Sequence, residues 1–396
     1  MKILVIGTNR GGHFRLIARG HELTLLGILP FGVAADFRCG YKNLVYLAEG
    51  ATDEQFRTMA RALHACTPFD LVHSFIDHYQ CLAADIAADL GIACRHKKEA
   101  TRVSLDKART RDVTRAAGFS RLDYWRVQDA SQLRDVLARA RFPVIAKPLE
   151  GTASKNVFRI GAADEAPDTL ASCLPMIVES FIDGAEYSVE SFSEGGRHRI
   201  LGITEKFKTP VNFVEIGHIV PARIDAALWR RIEDFTGKVL DAVGIEDGPG
   251  HTEIMVSGEA IELIETHTRT GGDEIPNLVR LACGQDLYDL EARQIAGERV
   301  LDSIPQPLAY AQHAAIWYLT PDEPEPRTLA AIDGADEAAA MPAVSSVKVE
   351  KQPGAAVHKL GHSFDRGAHA IAVDATGDAA LAAAQAAVAQ LRYRFQ

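Results

Sequence analysis

Short apolar runs recur through the first hundred residues, each separated from the next by more polar sequence. They lie at 3–6, 23–26, 44–47 and 71–75, and the first closes on Gly7. Apolar positions at helical spacing are clearest over 53–65 and 79–90, with Asp53 as the expected N-cap of the first of these helices. A strand covered on both faces has no polar side, so it reads as a run rather than as an alternation. Runs alternating with helices predict an α/β unit built on a doubly wound parallel sheet over residues 1–100.

The pattern then changes. One helix is expected over 104–117, capped at its Ser104-Leu-Asp-Lys107 start and stopped by Gly118. A strand over 122–127 and a helix over 131–141 follow, then Pro143-Val-Ile-Ala-Lys-Pro148, which reads as a strand running into a loop of small residues. Strands come in close succession at 157–160, 176–181, 186–192 and 198–204, an antiparallel insert flanked by helices and hence α+β. A helix over 226–243 precedes strands at 252–256 and 260–265, joined by the turn Ser257-Gly258-Glu259. The polar break Asp322-Glu-Pro-Glu-Pro326 and an Ala-rich helix over 378–391 mark a small C-terminal α+β domain. The expected domains are 1–100, 101–305 and 306–396.

Composition narrows the function classes. With 396 residues the chain is long enough for two or three cores. A net charge of −10 without any Lys/Arg run argues against nucleic acid as the main partner. The cysteines at 39, 66, 81, 94, 173 and 283 form no C-x-x-C pair and read as buried small side chains in a reducing compartment. The apolar run at the N-terminus is too short for a signal peptide, and no stretch has the length of a membrane span. A cytoplasmic protein with no membrane partner is expected.

Four segments carry candidate chemistry. Gly7-Thr-Asn-Arg-Gly-Gly-His13 follows a strand, but its spacing is not that of a dinucleotide fingerprint, and a tight turn is the simpler reading. No P-loop is present. Lys107 and Lys147, the latter just ahead of Gly151-Thr-Ala-Ser154-Lys155-Asn-Val157, suit a polyphosphate: ammonium groups supply charge and loop amides approach the oxygens. Glu179 and Glu186 bracket the apolar Phe181-Ile182 and a glycine turn, where a backbone hinge can hold an adenine edge and a carboxylate the ribose. Glu253 and Glu265 lie on the two hairpin strands and can face one cavity. Two carboxylates with nucleotide phosphates make an oxygen-rich Mg²⁺ site, and Arg269 beyond them can clamp a phosphate or carboxylate. Each of these taken alone also fits a solvated surface residue.

Together, in order and spacing, the segments resemble the ATP-grasp superfamily from the first strand to about residue 300. The resemblance implies a pre-ATP-grasp domain, an ATP-grasp domain whose mobile lid spans about 142–182, and ATP with Mg²⁺ (or Mn²⁺) as cofactors. It makes Lys107, Lys147, Ser154, Lys155, Glu179, Phe181, Ile182 and Glu186 nucleotide contacts, Glu253 and Glu265 metal ligands, and Arg269 the acyl-phosphate clamp. Phe213-Val-Glu215-Ile-Gly-His218-Ile-Val-Pro221 further resembles the substrate strand of L-amino-acid ligases, dipeptide synthetases of the bacilysin-synthetase type. In that branch the Glu and His contact the amino-acid substrate. Two positions depart from the pattern: His267 stands where the family has a metal-binding Asn, and Asn156 where the lid loop has Gly. His267 is therefore a candidate metal ligand, substrate contact or base, while Asn tolerates the positive φ a glycine would supply.

The implied reaction activates a carboxylate as an acyl-phosphate and couples it to an amine, with Lys147, Arg269, Glu215 and His218 as the catalytic set. Small-molecule carboxylate and amine partners are expected, with a homodimer as the base-rate assembly. A carboxylase or purine-type ligase of the same fold, a nicotinamide dehydrogenase and a non-catalytic nucleotide-binding module remain as alternatives.

Overall fold

The computed structural model describes residues 1–28, 40–149, 151, 155–210 and 212–396. The N-terminal unit is β1 (Lys2–Ile6), α1 (Arg10–Ala18), β2 (Glu22–Ile28), β3 (Tyr41–Leu47), α2 (Asp53–Cys66), β4 (Leu71–His73) and α3 (Asp77–Leu90). Its four strands pair in parallel in the order β3-β2-β1-β4. Alternate residues of β1 bury on opposite sides. Leu4 and Ile6 pack with Phe56, Leu82 and Ile86 of α2 and α3, while Ile3 and Val5 pack with Leu16 of α1. Both faces are covered, as the apolar runs predict. The N-cap of α2 is Thr52 rather than Asp53: the Thr52 hydroxyl and the Gln55 side chain satisfy each other's backbone amides in a capping box. The glycines at 11 and 12 are explained by packing, since a Cβ at Gly11 would sit 2.6 Å from the Tyr288 ring and one at Gly12 would strike Phe75.

A helix not foreseen, α4 (Lys98–Leu105), precedes the expected one, which starts at 107 rather than 104 as α5 (Lys107–Ala116). Asp106 between them is extended (φ −98°, ψ 104°), and its carboxylate accepts from the amides of Ala108 and Arg109. A side chain that satisfies two orphan amides makes the break favourable, and it places Lys107 on the first turn of α5.

The strands read as one antiparallel insert divide between two sheets. β5 (Tyr124–Val127), α6 (Ala130–Arg139), β6 (Val144–Pro148), β7 (Phe158–Ile160) and β8 (Met176–Ser180) form a four-stranded sheet of order β5-β8-β6-β7. The others belong to an eight-stranded sheet. It contains β9 (Ala185–Glu194), β10 (Arg197–Lys208), β11 (Glu215–Val220), β12 (Gly248–Ser257) and β13 (Ala260–His267), with α7 (Ala226–Val243), α8 (Ile275–Cys283) and α9 (Leu287–Ile295) packed on it. The C-terminal elements are β14 (His313–Leu319), β15 (Arg327–Asp333), α10 (Ala335–Ala339), β16 (Val344–Val349), β17 (Ala356–Val357), β18 (Ala368–Asp374), α11 (Gly377–Val388) and β19 (Arg392–Phe395). Three of them continue the large sheet, which runs β13-β12-β9-β10-β11-β14-β18-β16, while β17-β15-β19 form a separate sheet.

The period-two alternation of the large sheet positions the site. Val189, Ile203, Ile254 and Leu263 point to one face and bury against Ile232, Val239 and Leu240 of α7. The residues between them, Glu186, Glu190, Lys206, Lys208 and Glu253, therefore project from the other face. Leu240 is fully buried in that core. Leu240→Ala is expected to destabilise the protein by about 2–5 kcal/mol, read as a lowered urea midpoint.

Candidate active site

A cavity of about 400 Å³ opens between the four-stranded sheet, the polar face of the large sheet and a short C-terminal segment. Its centre is set by strand register. Glu253 on β12 lies directly opposite Glu265 on β13, and β9, β10 and β11 bring Glu186, Lys206, Lys208, Glu215 and His218 alongside. The hairpin reading of the two glutamates holds in the paired strands.

The charges are interlocked. The Lys206 ammonium, almost fully buried, lies 2.5 Å from Glu253, 3.2 Å from Glu186 and 3.4 Å from Glu215. Lys208 lies 2.5 Å from Glu186. Burial works against the charge on Lys206, but the three carboxylates outweigh it and hold the ammonium well above its ordinary pKa. The same cations overcome desolvation at Glu253 and Glu215 and keep both carboxylates below theirs. Lys107, brought in by the helix break at Asp106, pairs with Glu265 at 3.0 Å. Carboxylate oxygens of Glu186, Glu215 and Glu253 lie within 4.8 Å of one another. Hard oxygen donors at that spacing fit a hard divalent cation.

Lys147 and Glu179 form a buried pair at 2.6 Å, and Arg111 donates to the same carboxylate at 2.9 Å. Glu179 thus faces the cavity with its carboxylate already taken by two cations. Phe181 and Ile182 also line the cavity, as does Lys155. Arg159 stacks over the Phe181 ring at 4.8 Å, and Phe213 stands 6.5 Å from it, centroid to centroid. Phe213 has φ +56°, a left-handed conformation rare for a bulky side chain; such strain concentrates at ligand sites. Asn156 has φ +59°, the geometry a glycine would supply. Ser154 lies outside the described residues.

Arg269 and His267 are both held by Asp77 at the first turn of α3. Its Oδ2 accepts from Arg269 Nε and from His267 Nδ1, each at 2.9 Å. His267 Nε2 lies 3.3 Å from Glu265. Burial disfavours an imidazolium, yet the flanking carboxylates raise the pKa of His267. A ring that donates from both nitrogens has no lone pair for a metal. Beneath Glu253, His251 contacts Glu190 at 2.8 Å and Glu253 at 3.3 Å; despite burial, these carboxylates push its pKa up to about 9.

At the C-terminal end, His218 Nε2 lies 3.3 Å from Asp273, whose carboxylate also takes a two-pronged contact from Arg366 at 2.6 and 2.8 Å. Burial notwithstanding, these donors hold Asp273 far below the usual carboxylate range. Ser363 Oγ donates to Glu215 at 3.1 Å.

Sequence reasoning missed Lys206 and Lys208, although two lysines spaced by two within a strand were a signal. It also missed Asp77, Arg111, His251 and Arg366, which reach the site from far along the chain and carry no local mark.

Comparison with known proteins gives two family matches and several relatives. The ATP-grasp domain family matches residues 164–277, and the family described as L-amino acid ligase C-terminal domain 2 matches residues 318–396. An uncharacterized protein, y4rH, of Sinorhizobium fredii is 29% identical over 74% of this chain and 62% of its own length. The alanine–anticapsin ligase of Bacillus subtilis is 26% identical over 47% of this chain and 45% of its own. The chain thus spans less than two thirds of these curated relatives. The crystal structure of an L-amino acid ligase from Bacillus licheniformis superposes with a TM-score of 0.86 at 20% identity, covering 100% of this chain and 98% of that one, and shares the fold. Among the described residues no helix is long and apolar enough to cross a membrane.

The raised pKa of His251 has a consequence for stability. A group titrating near 6.5 unfolded and about 9 folded contributes stability that is fully present below pH 6.5 and is lost as pH rises through 9. The stability difference between the wild type and His251→Gln is expected to shrink between pH 6.5 and 9, measured by urea unfolding across that range.

Proposed function

We propose that this chain, whose residues 164–277 match the ATP-grasp domain family, is an ADP-forming ligase coupling a carboxylate to an amine, both from amino acids, to give a dipeptide. The observation that carries this reading is the register-set pair Glu253 and Glu265 facing a cavity ringed by Lys107, Lys147, Lys206, Lys208 and Arg269. Phosphoryl transfer asks a protein mainly for positioning and charge neutralisation. Glu253 and Glu265, with Glu186 within reach, would hold Mg²⁺ between nucleotide and protein; the ion would neutralise phosphate charge when bound. Phe181, Ile182 and Phe213 would flank the adenine, and Lys107, Lys147 and Lys155 would meet the phosphates.

In the first step the substrate carboxylate attacks the γ-phosphorus of ATP, and ADP leaves. Holding the two reactants in line is worth on the order of 7–11 kcal/mol. Arg269, fixed by Asp77, meets the acyl-phosphate. In the second step the amine attacks the acyl carbon and phosphate leaves. The amine must first lose a proton, since an ammonium has no lone pair. If His218 donates Nε2–H to Asp273, its Nδ1 keeps a lone pair, and that buried atom has no hydrogen-bond partner among the described residues. We assign His218 as the base and Glu215 as the anchor for the ammonium that precedes it. His267, held between Asp77 and Glu265, acts as a fixed cation beside the metal ligands rather than as one of them. The sheet β5-β8-β6-β7 is the part that closes to keep water from the acyl-phosphate.

Phosphate release with ATP and Mg²⁺, against amino acids singly and in pairs, tests the reading, with products weighed by mass spectrometry. The expected product is lighter than the two substrates by one water. Arg269→Ala is expected to lower kcat by on the order of 10²–10³-fold. Full ATP-dependent activity in Glu253→Ala would sink the assignment, and release that requires bicarbonate would move it to a carboxylase.

A further inference from the structure

Residues 361–366, between β17 and β18, are tied down by buried polar contacts. Asp365 Oδ2 accepts from the amides of Gly361 at 2.9 Å and His362 at 3.0 Å. Ser363 donates to Glu215 at 3.1 Å. Arg366 donates to the Ser363 carbonyl at 2.7 Å, to the Glu215 carbonyl at 3.1 Å and to Asp273, and its guanidinium lies 3.8 Å over the Tyr318 ring. Ser363, Asp365 and Arg366 are all buried. Phe364, between them, is 74% exposed and lines the cavity.

Among the described residues only Met1 and Phe364 are large apolar side chains left exposed, and Met1 is the first residue. A single exposed aromatic on an ordinary surface needs no explanation. This one stands at the wall of the charged cavity, on a backbone fixed by buried polar contacts, next to the residue bonded to Glu215. A rigid aromatic presented in this way loses little entropy when a ligand covers it.

We propose that Phe364 is a specificity-determining residue that receives the apolar side chain of an α-amino acid whose ammonium is held by Glu215. The proposal rests on the ligase reading and deepens it by naming the substrate class at this end of the cavity: amino acids with bulky apolar side chains rather than small or charged ones. The ligand bridges two chemistries that adjacent residues hold together, a carboxylate and an apolar ring.

Binding and turnover are read separately. Saturation-transfer NMR with L-leucine, L-phenylalanine, L-alanine and glycine is run on the full chain with ADP and Mg²⁺, for the wild type, Phe364→Ala and Phe364→Leu. Phe364 is exposed, so both variants are expected to fold, and circular dichroism checks this. The expected result is preferential binding of leucine and phenylalanine, weakened on the order of tenfold in Phe364→Ala, with alanine and glycine unaffected and Phe364→Leu largely restored. Where turnover is measured, KM for the bulky substrate rises and kcat and the KM for ATP do not. Equal effects on all four amino acids, no effect, or no binding of any of them to the wild type overturns the proposal. Phe364-dependent binding without phosphate release would leave it standing and remove the ligase reading instead.

Discussion

Buried charge must be met by buried charge, and the cavity is built around that constraint. Among the described residues six carboxylates and seven lysine or arginine side chains line it. Lys206 alone answers three of the carboxylates. Taking one such charge out of water costs several kcal/mol, which only close opposite charge repays, and losing a partner leaves the rest uncompensated. The groups therefore have to arrive together, from β9, β10, β11, β12, β13 and α5, and the strand register that delivers them is inseparable from the core on the opposite face. The same side chains that bury Val189, Ile203 and Ile254 under α7 dictate, by alternation, where Glu186, Glu190, Lys206 and Glu253 stand. Fold and site are two faces of one sheet.

Much of this was legible in the chain. Continuous apolar runs identified the parallel N-terminal sheet, because burial on both faces leaves a strand no polar positions. The hairpin turn at 257–259 put Glu253 and Glu265 on neighbouring strands, and a register shift between Glu253 and Ile254 brings them opposite each other. What stayed hidden depends on partners that sequence does not bring near. Asp77 sits at the start of an unremarkable helix, and only folding carries it to Arg269 and His267, 192 and 190 positions away. The helix ahead of Asp106 was not read and the next was started at Ser104 instead of Lys107, whereas a two-amide cap at Asp106 decides the backbone. The division of the close-set strands into two sheets was missed for a similar reason: antiparallel neighbours share one local pattern whichever sheet they join.

His267 illustrates how a departure from a family pattern is absorbed. An amide at that position offers an oxygen; an imidazole there has a carboxylate beside each nitrogen, Asp77 and Glu265. The Asp77 carboxylate is shared between His267 and Arg269, so the ring is fixed by a group that also orients the guanidinium.

The continuity of the large sheet bears on how such a protein could be recombined. β11 hydrogen-bonds β10 on one side and β14 on the other, so the C-terminal portion is stitched to the cavity wall by backbone ladders as well as by side-chain contacts. A graft made between them would strip β11 of its neighbour and leave an open row of amides and carbonyls next to Glu215 and His218, a template for intermolecular pairing. Exchange of parts between homologues is thereby restricted to pieces that bring a compatible strand with them. The four-stranded sheet, joined to the rest through connecting segments, is free of that restriction.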